Sequence, residues 1–561
     1  MKMTNQKLET ALELALSVPS SVRAKSPSLE TGYSPETQSW ELIIRYSGDL
    51  VLPEDVTLVS LFGGYGILYL PENRIDEISA LPQIEYIEKP KRLSFSLAGA
   101  KAAACIPPVT RPPKNLTGEN VLIGIIDSGI DIYHPDFRNE DGTTRIVNLW
   151  DQTLGQVFSE EEINAALLAD DGTFPSRDLS GHGTHVAGIA AGNGRASGGL
   201  YTGVATKSRL IVVKLGNLLP DAFPRTTELM TALDYCVRRS LELQMPLALN
   251  LSFGNNYGSH TGFSLLETYL DTIATIGRTT IAVGTGNEGN LGRHASDTLS
   301  QAPISRELSV GPGETSLNIQ LWKDFSDEFQ IRLTAPSGES VFLNENYIGT
   351  YQTHLDNTDL YWFFGEPSPY QIFQEIYVEM LPSAGQQTIA EGLWTWQLIP
   401  VNIRNGRFDL WLPSSSSINP QTRFLVADPE TSLTIPSTAF RPITVAAYDS
   451  NANQLASFSG QGFTALSLTK PDLAAPGVNI TSTSVGGGYN ARSGTSMATP
   501  FVTGSAALLM QYGIIQGNDP FLYGQKIKAW LIRGARPLPA LRTYPNPQIG
   551  WGVLCLKDSL S

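Results

Sequence analysis

Long apolar stretches are what this sequence most plainly lacks. No run of about 18 apolar residues occurs, so no transmembrane helix is expected. The uninterrupted apolar core of a secretory leader is also missing, because Glu9 and Glu13 break the amphipathic stretch Leu8–Val18 near the start. Synthesis and folding in the cytoplasm are therefore expected. Cysteine is scarce, with three in 561 residues. Cys105, Cys236 and Cys555 are far apart and odd in number, which argues against a disulfide framework. None stands beside a histidine as a metal ligand or thiol nucleophile would, and Cys236 reads as a small buried hydrophobe. Basic clusters are missing too. Lys and Arg number 39 against 54 Asp and Glu, a net charge of −15, which argues against nucleic acid and anionic membranes as partners.

What is present is a globular composition, 41% hydrophobic and 17% charged, and enough length for two to four domains. The chain is organised around Gly494-Thr495-Ser496-Met497-Ala498-Thr499-Pro500, followed by the apolar, small-residue run Phe501–Met510. This pattern predicts a tight turn delivering Ser496 to the start of a buried helix. A hydroxyl there sits among unpaired backbone N–H groups at the positive end of the helix dipole. The setting suits a serine that attacks a carbonyl and stabilises the resulting oxyanion, and it equally suits a helix cap. Upstream, the buried-strand pattern Val121–Ile126 ends at Asp127-Ser128-Gly129. The stretch Ser180-Gly181-His182-Gly183-Thr184-His185 is a small-residue turn entering a packed helix. Alone, each reads as ordinary turn chemistry. Together they place Asp127, His182 and Ser496 in the order of one known catalytic triad.

With these motifs the chain resembles the subtilisin-like serine proteases (subtilases), over roughly residues 115–295 and 435–555. The resemblance implies that Asp127 orients the imidazole, His182 is general base and then acid, and Ser496 is the nucleophile. It also implies that Asn287, in Gly284-Thr285-Gly286-Asn287-Glu288-Gly289, donates to the oxyanion beside the Ser496 N–H. Ser252-Phe253-Gly254 and Gly284-Thr285-Gly286 would line the pocket for the residue before the scissile bond, with Phe253 as alternatively a core residue. Substrate, a protein or peptide, would add as an extended strand. No cofactor is required, and no loop specifies a calcium site, although such sites are common in subtilases.

The strand patterns at Val121–Ile126, Leu210–Lys214, Leu247–Ser252, Thr280–Val283 and Ile443–Ala447 are largely non-alternating. Helical patterns at His182–Ala191, Thr226–Leu243 and Leu265–Ile276 separate them. This predicts an α/β fold, a parallel sheet with helices on both faces, in residues 101–297 and 431–561. Ahead of it, residues 1–100 carry a β–β–α–β pattern from Trp40 to Ile87 that is small to stand alone. In subtilases such a segment resembles a propeptide, an α+β chaperone whose tail lies in the cleft and is cut by the enzyme itself. The cut is expected between Lys91 and Cys105. Residues 298–430 instead show short strand patterns and turn signals, predicting an inserted antiparallel β-sandwich.

An insertion at this place resembles the jelly roll of the clostridial Csp subtilases. That likeness implies activation of a cortex-lytic zymogen during spore germination and a spore-associated location. It also leaves open a non-catalytic member in which a retained propeptide keeps the cleft shut. His134, His185, His260, His294 and His354 carry no ligand spacing and read as packing residues.

Overall fold

A computed structural model of the chain describes residues 5–91, 94–95, 102–217, 224–344 and 348–560. The chain divides into two compact units. One comprises residues 93–254, 266–289 and 433–561, the other residues 1–92, 255–265 and 290–432. Among the described residues, no helix is long and apolar enough to cross a membrane.

The unit containing Asp127, His182 and Ser496 is built on a nine-stranded sheet. At its centre Leu122–Asp127 is flanked in parallel by Arg209–Lys214 and Leu247–Leu251. The parallel run continues through Thr279–Gly284, Ile443–Asp449 and Leu473–Pro476 on one side and through Ile146–Asp151 on the other. Short antiparallel strands, Gln454–Leu455 and Gln156–Ser159, occupy the margins. Every residue of Leu122–Asp127, Leu247–Leu251 and Thr279–Gly284 is buried. Burial on both faces removes the need for alternation, which is why these strands read as continuous apolar runs. The strand Ile146–Asp151 was not anticipated, because Asn148 and Asp151 interrupt its apolar pattern although both are buried. Among the helices, His182–Ala191 matches its expected span, and Thr495–Met510 is buried along its whole length.

One expectation is overturned. Cys105 and Cys555, 450 residues apart in sequence, form a disulfide with their Cα atoms 4.8 Å apart. Scarcity and spacing argued against any bridge, but the fold brings the two segments together irrespective of their separation. Cys236 is free and fully buried, as expected.

In the second unit the N-terminal segment forms the sheet expected of it. Ser39–Tyr46 lies between Tyr65–Pro71 and Ile84–Glu88, with Thr57–Ser60 outside Tyr65–Pro71. The amphipathic stretch becomes the helix Thr10–Ser17. The insertion forms two antiparallel sheets, of six and five strands, that contribute to one apolar core containing Phe329, Trp362, Trp394 and Trp396. Two strands of the larger sheet are apolar on both faces, and the period-two geometry explains why. In Thr358–Phe364, Leu360, Trp362 and Phe364 enter the insertion's core, while Tyr361 and Phe363 join the core of the N-terminal segment. Phe373–Pro382 divides likewise, with Ile376, Val378 and Met380 on one side and Tyr377 and Leu381 on the other. The small N-terminal domain thus completes its core with side chains of the insertion.

Candidate active site

Asp127 is the last residue of the central strand, so its side chain emerges where the parallel strands end. His182 begins its helix beside it, and the close approach depends on Gly183. A Cβ there would lie 2.1 Å from the Gly129 carbonyl oxygen and 3.1 Å from Asp127 Cβ. Asp178, which the sequence reading passed over, fixes the start of this helix. Its Oδ1 accepts from Ser128 Oγ at 2.8 Å and the Gly181 N–H at 2.9 Å. Its Oδ2 accepts from the Thr184 N–H at 2.8 Å and Thr184 Oγ1 at 2.6 Å. The consequence is a hydrogen bond between His182 Nδ1 and Asp127 Oδ1 at 2.6 Å, with both side chains almost wholly buried. The Ser128 N–H also donates to Asp127 Oδ1, at 2.7 Å. A carboxylate on Nδ1 fixes the ring tautomer and leaves Nε2 as the basic nitrogen.

Ser496 is the second residue of the buried helix Thr495–Met510. Four residues on stands Pro500, which has no N–H to return to the Ser496 carbonyl. Ser252 Oγ takes that place, donating to Ser496 O at 3.0 Å, while Ser496 Oγ donates to Ser252 O at 2.9 Å. Ser252 is held in turn by Asn250, whose Nδ2 donates to Ser252 Oγ at 2.8 Å and whose Oδ1 accepts from Thr503 Oγ1 at 2.9 Å. Asn287 is anchored at the same helix start. Its Oδ1 accepts from the Thr495 N–H at 3.0 Å and Thr495 Oγ1 at 3.3 Å, so Nδ2 is the end that serves as donor to a ligand.

Phe253 and Gly254 form a short strand, and Ser94–Phe95 pairs with it antiparallel, Phe95 opposite Phe253 and Ser94 opposite Gly254. Phe253 is nonetheless buried. Within the stretch between Lys91 and Cys105 where the cut is expected, residues 92–93 and 96–101 lie outside the described residues. The strand Thr279–Gly284 ends at Gly284, and the Thr285 N–H just beyond it donates to Val445 O at 3.1 Å. Thr434, another residue that sequence reasoning missed, lies against both segments: a Cβ on Gly254 would fall 2.5 Å from its Oγ1, and one on Gly286 2.3 Å from its Cγ2. His185 plays a packing part. Its Nε2 lies 3.0 Å from Ile480 O and 3.1 Å from Asn490 O, and burial pushes its pKa down to about 3, so it stays neutral. His134 Nε2 lies 3.0 Å from Gly488 O, and His260 and His294 stack on Trp411.

The chain belongs to the subtilase family, whose description matches residues 118–361 and 424–552. Its N-terminal segment, residues 6–91, matches the Csp protease B prodomain. Among solved structures it is similar to the Clostridium perfringens CspB protease, with 37% identity and a TM-score of 0.77 over 82% of this chain and 96% of that one. Among curated relatives it is 25% identical to the PI-type proteinase of Lactococcus lactis subsp. cremoris, over 72% of this chain but 23% of that protein. It is 26% identical to Subtilisin NAT of Bacillus subtilis subsp. natto, over 50% of this chain and 64% of that one. The chain thus spans about a quarter of the length of the lactococcal proteinase that it matches.

Proposed function

We propose that this chain is a serine endopeptidase that processes its own N-terminal segment and then acts on few protein targets. The observation that carries this reading is the buried 2.6 Å hydrogen bond between His182 and Asp127, in a chain that also sets Ser496 at a helix start. In the reaction, Ser496 Oγ attacks the scissile carbonyl and His182 Nε2 accepts its proton. Asn287 Nδ2 and the Ser496 N–H hold the oxyanion. His182 then protonates the leaving amine, and water, activated by the same imidazole, hydrolyses the acyl ester. Asp127 accepts from Nδ1–H throughout and holds the imidazolium in place.

Ser94–Phe95 pairing with Phe253–Gly254 supports a self-inhibited precursor, since an added antiparallel strand is how an extended peptide binds a sheet edge. A core shared between the N-terminal domain and the insertion supports retention of the cut piece, which suits a regulatory protease better than a degradative one. The likeness to the Csp protease B prodomain supports a role of the Csp kind, activating a zymogen in spore germination. The test is intact mass and N-terminal sequencing of wild type beside Ser496→Ala. Wild type is expected to split between Lys91 and Cys105 and the variant to stay whole. If both remain uncut, the chain is a non-catalytic binding module.

A further inference from the structure

The larger sheet of the insertion borders a cavity that the proposed proteolysis does not use. In Leu317–Asp324, Leu317, Ile319 and Leu321 enter the insertion's core, so Gln320 and Trp322 lie on the opposite face. In Phe373–Pro382 the same alternation sends Ile376 and Val378 into the core and leaves Phe373 and Glu375 facing outward. The register sets Trp322 directly opposite Glu375. All four outward side chains line a cavity of about 40 Å³. A water needs about 10–15 Å³ on that scale, so the space suits a molecule of a few heavy atoms. Tyr86 and Lys91 of the N-terminal segment, with Tyr257 and Phe263 of the stretch 255–265, enclose it further. The whole lining belongs to the second unit.

Two properties of this lining point to a ligand. The first is unpaired polarity. Trp322 is only 7% exposed, and its indole N–H is buried without a hydrogen-bond partner among the described residues. Gln371, half-buried, also lines the cavity, and its Oε1 is buried without a partner. Unpaired buried groups are costly, and a ligand hydroxyl satisfies both by accepting from the indole and donating to the amide oxygen. The second property is charge. Glu9, Glu88, Glu366 and Glu375 line the cavity against one cation, Lys91. Lys91 Nζ pairs with Glu9 at 2.7 Å and with Glu88. Glu9 Oε2 also accepts from the Lys89 N–H at 3.0 Å, and Glu88 Oε2 from the Leu265 N–H at 3.1 Å. Glu375 accepts from Gln320 Nε2 and forms no ion pair among the described residues. Burial, with Glu9 adding to it, raises its pKa to about 8, so at neutral pH it holds a proton that a cation would displace. Among the described residues no cluster is spaced to hold a metal ion, and aromatic rings beside carboxylates favour an organic ammonium. A ligand carboxylate would instead meet like charge.

We propose that this cavity binds a small protonated amino alcohol, its ammonium on Glu375 and its hydroxyl between the Trp322 N–H and Gln371 Oε1. Because the lining comes from the N-terminal segment, the stretch 255–265 and the insertion, the bound molecule fastens the N-terminal segment to the insertion. Neither the site nor its test depends on proteolysis.

The experiment is calorimetric titration of ethanolamine into the full chain carrying Ser496→Ala, at neutral pH in two buffers of different ionisation enthalpy. Saturable binding with release of a proton is expected, together with a higher melting temperature. Ethylammonium, which lacks the hydroxyl, should bind about 3–10-fold more weakly, the scale of one neutral hydrogen bond. Ethanol, which lacks the charge, should not bind measurably. Trp322→Phe should weaken ethanolamine by the same factor and leave ethylammonium unchanged. Glu375→Gln should weaken both amines by about 10–100-fold, the scale of a hydrogen bond to a charged group, and abolish the proton release. Circular dichroism melts establish that each variant is folded. Absence of saturable ethanolamine binding overturns the proposal, as does equal binding of ethanol or tighter binding of glycine. Binding that Trp322→Phe and Glu375→Gln leave unchanged lies elsewhere and overturns it too. If those buried variants do not fold, Gln371→Leu at its half-buried position decides the matter. Unchanged ethanolamine affinity in that variant refutes the site.

Discussion

Ser252 and Ser496 exchange hydrogen bonds, each hydroxyl donating to the other's carbonyl oxygen at 3.0 and 2.9 Å. The pairing exists because Pro500 withholds the N–H that a helix would normally return to Ser496. It locks the peptide unit of Ser496, the proposed nucleophile, to that of Ser252. Ser252→Ala strips the Ser496 carbonyl and Asn250 of their buried partner. Stability should fall by about 1–3 kcal/mol. The kcat should fall by about 10–100-fold, because small displacements of a nucleophile are costly. Urea denaturation and peptide-hydrolysis kinetics measure the two effects separately.

Asn287→Ala removes the side-chain donor that the proposed mechanism places on the oxyanion. A drop in kcat of about 10²–10³ with little change in KM is expected, the size found for the corresponding donor in subtilisin itself. A loss in KM alone would show that Asn287 binds substrate without favouring the transition state.

Under the proposed mechanism Asp178 supports the chemistry through His182, by holding the start of its helix. Asp178→Ala leaves Gly181, Thr184 and Ser128 without their acceptor. It should lower both stability and kcat, whereas a purely structural role would lower stability alone. Asp178→Asn, which keeps one acceptor oxygen, should recover part of each.

Burial raises Glu375 to a pKa of about 8, helped by Glu9 and opposed by Gln320 and Lys91. It raises Glu379 to about 7, opposed by hydrogen bonds from Ser26 and Tyr377 and by Lys89. Glu379 Oε1 accepts from Ser26 Oγ at 2.6 Å, which ties the N-terminal domain to the insertion. Both carboxyls bind their proton more tightly when folded than when unfolded. Their stabilising contribution is therefore complete below about pH 4.5, the ordinary carboxyl range, and is lost as pH rises through about 7 and then 8. Melting temperature should fall over that window, and the cut N-terminal piece should dissociate more readily at pH 8.5 than at 6. Glu379→Gln should flatten the slope between pH 5 and 7.

Asp127, His182 and Ser496 were legible as candidates because each sits in a short local pattern whose turn chemistry is readable without knowing the fold. Asp127 ends an apolar run, His182 follows a glycine, and Ser496 precedes a small-residue helix. Asp178 and Thr434 escaped notice because their importance comes from neighbours distant in sequence. Thr434 stands 180 positions from Gly254 and 148 from Gly286, by their numbering. In the insertion, Tyr361 and Phe363 belong to a second core on their face of the sheet, which the strand's own sequence does not announce. The bridge between Cys105 and Cys555 left no local trace, since both its ends lie in unremarkable sequence.

That bridge should be detected as a mass gain of about 2 Da on reduction, two hydrogens for one disulfide. Cys105→Ser should cost about 2–5 kcal/mol of stability if the bond forms under the conditions used. Comparing oxidised and reduced wild type by thermal melting gives the same quantity without a substitution.

The sulfur bond joins positions 450 residues apart, so it closes the stretch that carries Asp127, His182 and Ser496 into one covalent loop. A single backbone cut anywhere inside that loop leaves its two pieces joined until the bond is reduced. Local damage there is kept from becoming the loss of a fragment.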